Sequence, residues 1–341
     1  MNQKSVVRMP SAMPVEVHIN PVNLQKALER LPKLFPRLYC CLIARHGHIA
    51  AEQYYNGGEP GRLNDLRSAT KSFLSALIGI AVHRGDMPLP EEPILPYLEA
   101  DMPVRSITNE GWRNLTFKHL LTMTSGLHWQ TGNKLGERWI HRFHNSSSWL
   151  RFALRLPVHP ERHGKFQYRS IDSHLLSVLL TRCTGVRADE YAEHYLFRPL
   201  GISEYRWDLS PDGHAAGHIG LHLTGRDMLA FGQLILNDGK RLADSRNEGA
   251  PSSTAVIPVE WIRESLQPQV AGLPAFGHYG YQWWVHRLGS HEAACAVGHG
   301  GQLIYVIPSH GLTVVFAGNP RVCRWRHPKR WIEEWLLPSC S

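Results

Sequence analysis

The sequence predicts an α/β (α+β) fold: an antiparallel β-sheet flanked by N- and C-terminal helices, with an all-helical lobe beside it. Three observations carry that expectation. A hairpin of two β-patterned stretches lies near the N-terminus, a β-patterned meander lies near the C-terminus, and the middle is helical and loop-rich. Short turns between neighbouring strands imply antiparallel pairing. Both ends of the chain therefore build one sheet, and the helical middle leaves a cleft where it meets that sheet. Residues 1–341 are expected to form a single unit, with a sheet lobe from about 20–84 and 266–341 and a helical lobe about 85–265.

Asn20 to Leu34 reads as an amphipathic helix with Val22, Leu24, Leu28 and Leu31 on one side. Tyr39–Arg45 and Ile49–Tyr55 read as the hairpin strands, joined at Arg45-His-Gly-His48. Thr70 to Val82 is apolar nearly all round, through Phe73, Leu74, Leu77, Ile78, Ile80 and Val82. Such a helix has to be buried. Helices are expected over Thr116–Met123, Ser147–Leu156, Ile171–Thr184, Ala188–Phe197, Gly225–Asn237 and Pro258–Ser265. Asp244–Thr254 has the composition of a surface loop. Strands follow at Tyr281–Arg287, Ala293–Val297, Gln302–Ile307 and Leu312–Ala317. A last helix, Pro328 to Leu337, docks through Trp331, Trp335 and Leu336.

The formal charge is +8, but the basic residues are scattered, with short runs only at Arg138–Arg142 and Arg321–Arg330. No nucleic-acid motif accompanies them, so a solvated surface is the expectation and no nucleic-acid partner is assigned. No stretch approaches the roughly 20 apolar residues that span a bilayer, and no membrane partner is expected. Met1 to Asn20 lacks the apolar run of a signal peptide, and the six cysteines show no zinc spacing. A cytoplasmic protein with reduced thiols is expected. His214, His218 and His222 recur at helical spacing, but Gly213, Gly217 and Gly220 sit among them. Loop or surface histidines are expected there, not metal ligands.

A serine hydroxyl is a poor nucleophile until something takes its proton. No G-x-S-x-G elbow is present, which disfavours the α/β-hydrolase solution. The other solution pairs serine with lysine, and Ser68-Ala69-Thr70-Lys71 supplies it at the start of the buried helix. Positions i and i+3 share a helix face, and the helix N-terminus favours negative charge. From Ser72 to Val82 there is no charged residue, so Lys71 is expected to be desolvated and able to act as a neutral base. Tyr168 and Ser170 form a second element, Y-x-S, just before a helical run; a phenol beside an ammonium can exchange protons. Tyr54-Tyr-Asn56 fits the same pattern but sits at a strand end before Gly57-Gly58, where a turn explains it. The third element is Gly298-His299-Gly300-Gly301-Gln302, whose glycines let substrate lie against a strand backbone and offer an oxyanion-binding N–H.

In order, S-x-x-K, Y-x-[NS] and a late glycine triplet resemble the penicillin-recognising serine enzymes. The chain looks like the class C β-lactamase-related branch, especially the 6-aminohexanoate-dimer hydrolase and carboxylesterase type. SATKSFLSALIG from Ser68, LTFKHLLTMTSGL from Leu115, FQYRSIDSHLL from Phe166 and LFRPLG from Leu196 carry the resemblance. GLHLTGRDMLAFGQL from Gly220, YGYQWW from Tyr279 and GHGGQLIYVIP from Gly298 continue it. The resemblance implies Ser68 as acylated nucleophile, Lys71 as base and Tyr168 as proton shuttle. It also implies an oxyanion hole from the amides of Ser68 and Gln302, with Ser170, His299, Gly300 and Gly301 near substrate, and a β-lactamase/transpeptidase-like fold.

Two departures narrow the expected activity. His299 stands where β-lactamases carry a lysine, and Ser170 replaces an asparagine. The expected substrate is a small ester or amide, with no metal or cofactor. The alternatives are true β-lactamase or D-amino-acid peptidase activity, or a non-catalytic ligand-binding protein on the same fold. The walls of the pocket are expected from the loops Gln130–Asn145 and Asp208–His222, and Trp283 or Trp284 is a candidate lining residue.

Overall fold

Strands that are apolar at every position need cover on both faces, and they occupy the middle of the sheet. The computed structural model describes residues 9–133, 135–241 and 255–340; the expected loop Asp244–Thr254 lies outside them. Its strands are β1 (Leu38–Arg45), β2 (His48–Tyr54), β3 (Asn64–Asp65), β4 (Arg206–Trp207) and β5 (Leu221–Leu223). They continue as β6 (Val270–Ala271), β7 (His278–Tyr279), β8 (Trp284–Leu288), β9 (His291–Gly298), β10 (Gln302–Ile307) and β11 (Leu312–Gly318). Eight of them form one antiparallel sheet in the order β2-β1-β11-β10-β9-β8-β7-β6. The two ends of the chain meet at β1 and β11, with Arg45 opposite Leu312 and Cys41 opposite Phe316.

The longer helices are α1 (Pro21–Leu28), α2 (Thr70–His83), α3 (Ser170–Thr184), α4 (Gly225–Leu236) and α5 (Val259–Leu266). One sheet face, with Leu42, Ile304, Val306 and Val315, joins a core that includes Phe73, Leu77, Phe231 and Leu234 from α2 and α4. The opposite face, with Cys41, Ile43, Tyr305 and Phe316, joins Leu24 and Leu28 of α1 and Trp331, Ile332 and Leu336 near the C-terminus. Helix α2 is buried along almost its whole length, as its all-round apolar pattern requires.

Several boundaries depart from the sequence expectations for identifiable reasons. The expected helix Asn20–Leu34 breaks after Leu28 and resumes as Leu31–Leu34. Pro32 has no N–H to donate, and its ring would clash with the carbonyl of Leu28. The expected strand from Tyr281 starts only at Trp284, because Gln282 adopts a left-handed φ of 62° and turns its amide inward. The central lobe is not purely helical: β4 and β5 pair with β3 in a small antiparallel sheet. Strands of two or three residues are too short for a period-2 pattern to register.

Close approach of α2 to α5 depends on Gly79. A Cβ there would fall 2.2 Å from Cγ of the Trp261 indole. Gly61, by contrast, has nothing within 4 Å of a built Cβ. Gly79→Ala is therefore expected to cost about 1–3 kcal/mol through overpacking. Gly61→Ala should stay within about 0.5 kcal/mol, both read by urea unfolding.

Candidate active site

The turn that carries Ser68 is set just before α2. Asp65 Oδ1 accepts the Arg67 N–H at 2.9 Å, and Arg67 takes a left-handed φ of 49°. A side chain holds that conformation only where its surroundings impose it. The single turn Arg67–Ala69 then feeds into the helix and leaves Ser68 partly exposed. Leu66 is tied down by its N–H to Leu221 O, and Thr70 Oγ1 accepts the Leu221 N–H.

One turn on, Lys71 is 1% exposed and its ammonium has three oxygen partners. Nζ lies 3.0 Å from Ser68 Oγ, 3.1 Å from His218 O and 3.4 Å from Ser170 Oγ. Burial lowers its pKa to about 7; Glu137 opposes that shift and Arg67 adds to it. Near neutral pH a large share of the lysine is thus the free amine, able to accept the serine proton.

Tyr168 is packed with its ring parallel to Trp284, and Lys71 Nζ sits 4.9 Å from its ring centroid. Burial, reinforced by Glu137, pushes its phenol well above the ordinary tyrosine value, while a hydrogen bond with Ser68 pulls it back. The phenol therefore keeps its proton at neutral pH. Of the two, Lys71 is thus the group able to take a proton near neutral pH and Tyr168 the one able to give one. Trp283 faces the other core, parallel to Phe231, so Trp284 is the one beside the site.

Ser170 opens α3 and brings in a residue that sequence patterning missed. Glu137 Oε1 accepts the Ser170 N–H at 2.6 Å and the Trp129 indole N–H at 2.7 Å. Its Oε2 accepts the Ser170 hydroxyl at 2.5 Å. The hydroxyl is thereby oriented to receive Lys71, and a carboxylate stands one hydroxyl away from the ammonium. Burial raises the Glu137 pKa, with Lys71 and the Ser170 bonds acting the other way. Behind it, the fully buried Arg169 donates to Leu127 O and Met123 O, and Asp172 accepts from Ser125. Burial lifts the Asp172 carboxyl to about 7 despite Arg169.

The histidine-rich stretch is not a surface loop throughout. His218 is fully buried and His222 is 7% exposed on β5. His218 reaches this depth because Gly217 has no side chain: a Cβ would meet Ser173 O at 2.2 Å. Its imidazole Nε2 lies 2.8 Å from that of His144, one nitrogen donating and the other accepting. Burial keeps both imidazoles neutral, with pKa values below the ordinary histidine value. Among the described residues, no group of three or more His, Cys, Asp or Glu side chains is placed to hold a metal.

At the hairpin between β9 and β10, the residues divide. Gly298 lies directly against the turn that carries Ser68, where a Cβ would come 2.1 Å from Leu66 O. His299 instead points its Nε2 to Val322 O, 2.6 Å away. Gly300, with φ 83°, presses on Asn319 O, and Gly301 faces Trp325. The Gln302 amide is spent on β11, donating to Gly318 O and accepting the Gly318 N–H. The side chains of His299 and Gln302 are thus engaged with the C-terminal stretch and β11.

A sequence profile of the β-lactamase family matches residues 41–332. The chain belongs to the β-lactamase family. It is a serine hydrolase with the antiparallel-sheet architecture of that family. The 6-aminohexanoate-dimer hydrolase of Paenarthrobacter ureafaciens is 23% identical over 294 residues, 77% of this chain and 69% of that protein. Among solved structures, a Bacillus anthracis protein provisionally named a 6-aminohexanoate-dimer hydrolase superposes with a TM-score of 0.75 at 17% identity. That match covers 99% of this chain and 87% of the other. The octameric penicillin-binding protein homologue from Pyrococcus abyssi gives 0.69 at 16% identity, over 93% and 77%.

This family member should show a rise in kcat/KM on a neutral ester as pH increases through about 7, when Lys71 loses its proton. Glu137→Gln removes the charge that favours the ammonium, so that limb should move to lower pH. Titration of kcat/KM against pH decides it: an unmoved limb, or one displaced upward, contradicts this coupling.

Proposed function

We propose that Ser68 is acylated by a small ester or amide substrate and deacylated by water. The observation that carries this is the Lys71 amine 3.0 Å from Ser68 Oγ, buried until its pKa falls to about 7. Lys71 takes the Ser68 proton as Oγ attacks the carbonyl. The Ser68 N–H, with a second N–H of the Gly298–Gln302 hairpin, holds the oxyanion. The second donor in this reading is the Gln302 N–H, at the strand end that pairs with Gly298, which itself lies against Leu66 O. Tyr168 then gives its proton to the leaving group and recovers one from Lys71. Ser170 and Glu137 orient the lysine throughout.

An ester or small amide is favoured over a β-lactam because His299 replaces lysine and is bonded to Val322 O. Likeness to a protein named a 6-aminohexanoate-dimer hydrolase, and to EstCE1, a hydrolase with promiscuous acyltransferase activity, supports acyl transfer. One catalytic unit, in which the sheet and helical lobes each supply part of the site, belongs to this proposal. A cytoplasmic location is part of the proposal, supported by the six unpaired cysteines.

A fluorophosphonate probe should add its mass to Ser68, and p-nitrophenyl acetate should be turned over. Ser68→Ala should lose both, with activity down by about 10³-fold or more. Labelling or turnover that survives Ser68→Ala would contradict the assignment. Nitrocefin separates the β-lactamase alternative, and ligand binding without turnover would mark a non-catalytic protein.

A further inference from the structure

The carbonyl that receives Lys71 belongs to a residue that the backbone alone does not hold. His218 lies between β4 and β5, after Gly217 and two residues before Gly220. Among the described residues, neither the His218 N–H nor its carbonyl pairs with another main-chain group. The carbonyl's partner is Lys71 Nζ, at 3.1 Å. With no ladder or helix to fix it, the position of this carbonyl has to come from the His218 side chain.

That side chain is anchored. Its ring centroid lies 5.3 Å from that of Trp149 and 5.4 Å from that of Phe143, and its Nε2 is 2.8 Å from His144 Nε2. Its Nδ1 is buried with no partner. The two nitrogens in contact share one proton, which leaves two arrangements. With that proton on His144, a neutral His218 carries its own on Nδ1, a buried N–H with no acceptor, the rarer kind of defect in folded proteins. With it on His218 Nε2, the buried Nδ1 is only a bare lone pair. The His144 proton then sits on its Nδ1, which has no protein partner and is open to water. His218 is therefore the donor and His144 the acceptor.

We infer that His144 and His218 are positioning residues for Lys71: the hydrogen bond from His218 Nε2 to His144 fixes the His218 carbonyl on the lysine nitrogen. The inference rests on the acyl-transfer reading, in which Lys71 takes the Ser68 proton. The titratable groups facing the pair are Arg67 and Lys71 from the Ser68 turn and α2, His141 beside His144, and His174 from α3. Burial, and then these positive or basic neighbours, keep both imidazoles neutral. Asp212 acts on His174, and Glu137 acts on Lys71 from its other side. A carbonyl that accepts from an ammonium favours the charged form, so loosening this contact lowers the lysine pKa further and displaces the amine from Ser68.

Two substitutions separate the acceptor from the ring. His144→Phe keeps an aromatic ring beside Trp149 and removes the acceptor, whereas His144→Gln keeps an acceptor. kcat/KM for p-nitrophenyl acetate is followed against pH, per active site counted by fluorophosphonate labelling taken to completion, so that unfolded enzyme does not enter. His144→Phe should lower the alkaline plateau by about 10-fold or more and move the rising limb down by about half a pH unit. His144→Gln should keep the limb in place and stay within about 3-fold of the wild-type plateau. A His144→Phe enzyme with the wild-type limb and plateau, or a His144→Gln enzyme equally impaired, overturns the inference alone. Should His144→Phe fail to fold, long-range ¹H–¹⁵N spectra of the wild-type protein near neutral pH decide it. His218 protonated on Nε2 with His144 protonated on Nδ1 supports the inference; the reverse pair, or a charged ring, overturns it. A wild-type enzyme that neither turns over the ester nor labels at Ser68 overturns the acyl-transfer reading and this inference with it.

Discussion

A lysine amine buried against a serine hydroxyl is the constraint around which the rest of this structure is arranged. Withdrawing an ammonium from water is costly unless its donors find partners or it gives up its proton. Lys71 uses both routes. Ser68, Ser170 and the His218 carbonyl receive it, and its pKa drops to about 7. The residual demand for negative charge is met indirectly by Glu137 through the Ser170 hydroxyl. A carboxylate in direct contact would have held the lysine charged and unable to take a proton.

That arrangement needs three remote stretches to converge on one helix turn. Gly217 lets the 214–222 stretch press on α3, which delivers the His218 carbonyl. Gly298 lets the end of β9 come against Leu66, two residues before Ser68. Gln282 ties the lobes together: its side-chain oxygen accepts from Ser173 of α3, its amide donates to Leu120 O and Leu121 O, and its carbonyl accepts from Ser72 of α2. Sheet, α2 and helical lobe are thus cross-linked by the buried Gln282. A polar group so placed is expensive if any partner is lost.

What could be read in the sequence was what is local. Ser68 and Lys71 declare themselves because i and i+3 share a helix face, and the uncharged run behind them explains the depressed pKa. Core strands β10 and β11 were legible as continuous apolar runs, and α2 as a helix with no polar face. Glu137 was invisible because it sits in an irregular loop with no period to mark it, and its partner Ser170 lies far along the chain. The histidine stretch misled for a related reason. Glycines between His214, His218 and His222 rightly argued against a helix, yet they served close packing and burial instead of exposure. At Gly298–Gln302 the glycines were read as room for substrate, whereas Gly300 and Gly301 pack on residues 319–325.

The charge state of one side chain, Lys71, decides whether this chemistry is possible. The direct measurement is an NMR titration of the Lys71 side chain, following its ¹³Cε shift in lysine-labelled protein and assigning it by comparison with Lys71→Arg. A midpoint near 7, far below that of the exposed lysines, is the result this structure predicts. A Lys71 resonance that stays ammonium-like up to pH values near the ordinary lysine pKa of about 10.4 would contradict it, and with it the assignment of Lys71 as the base.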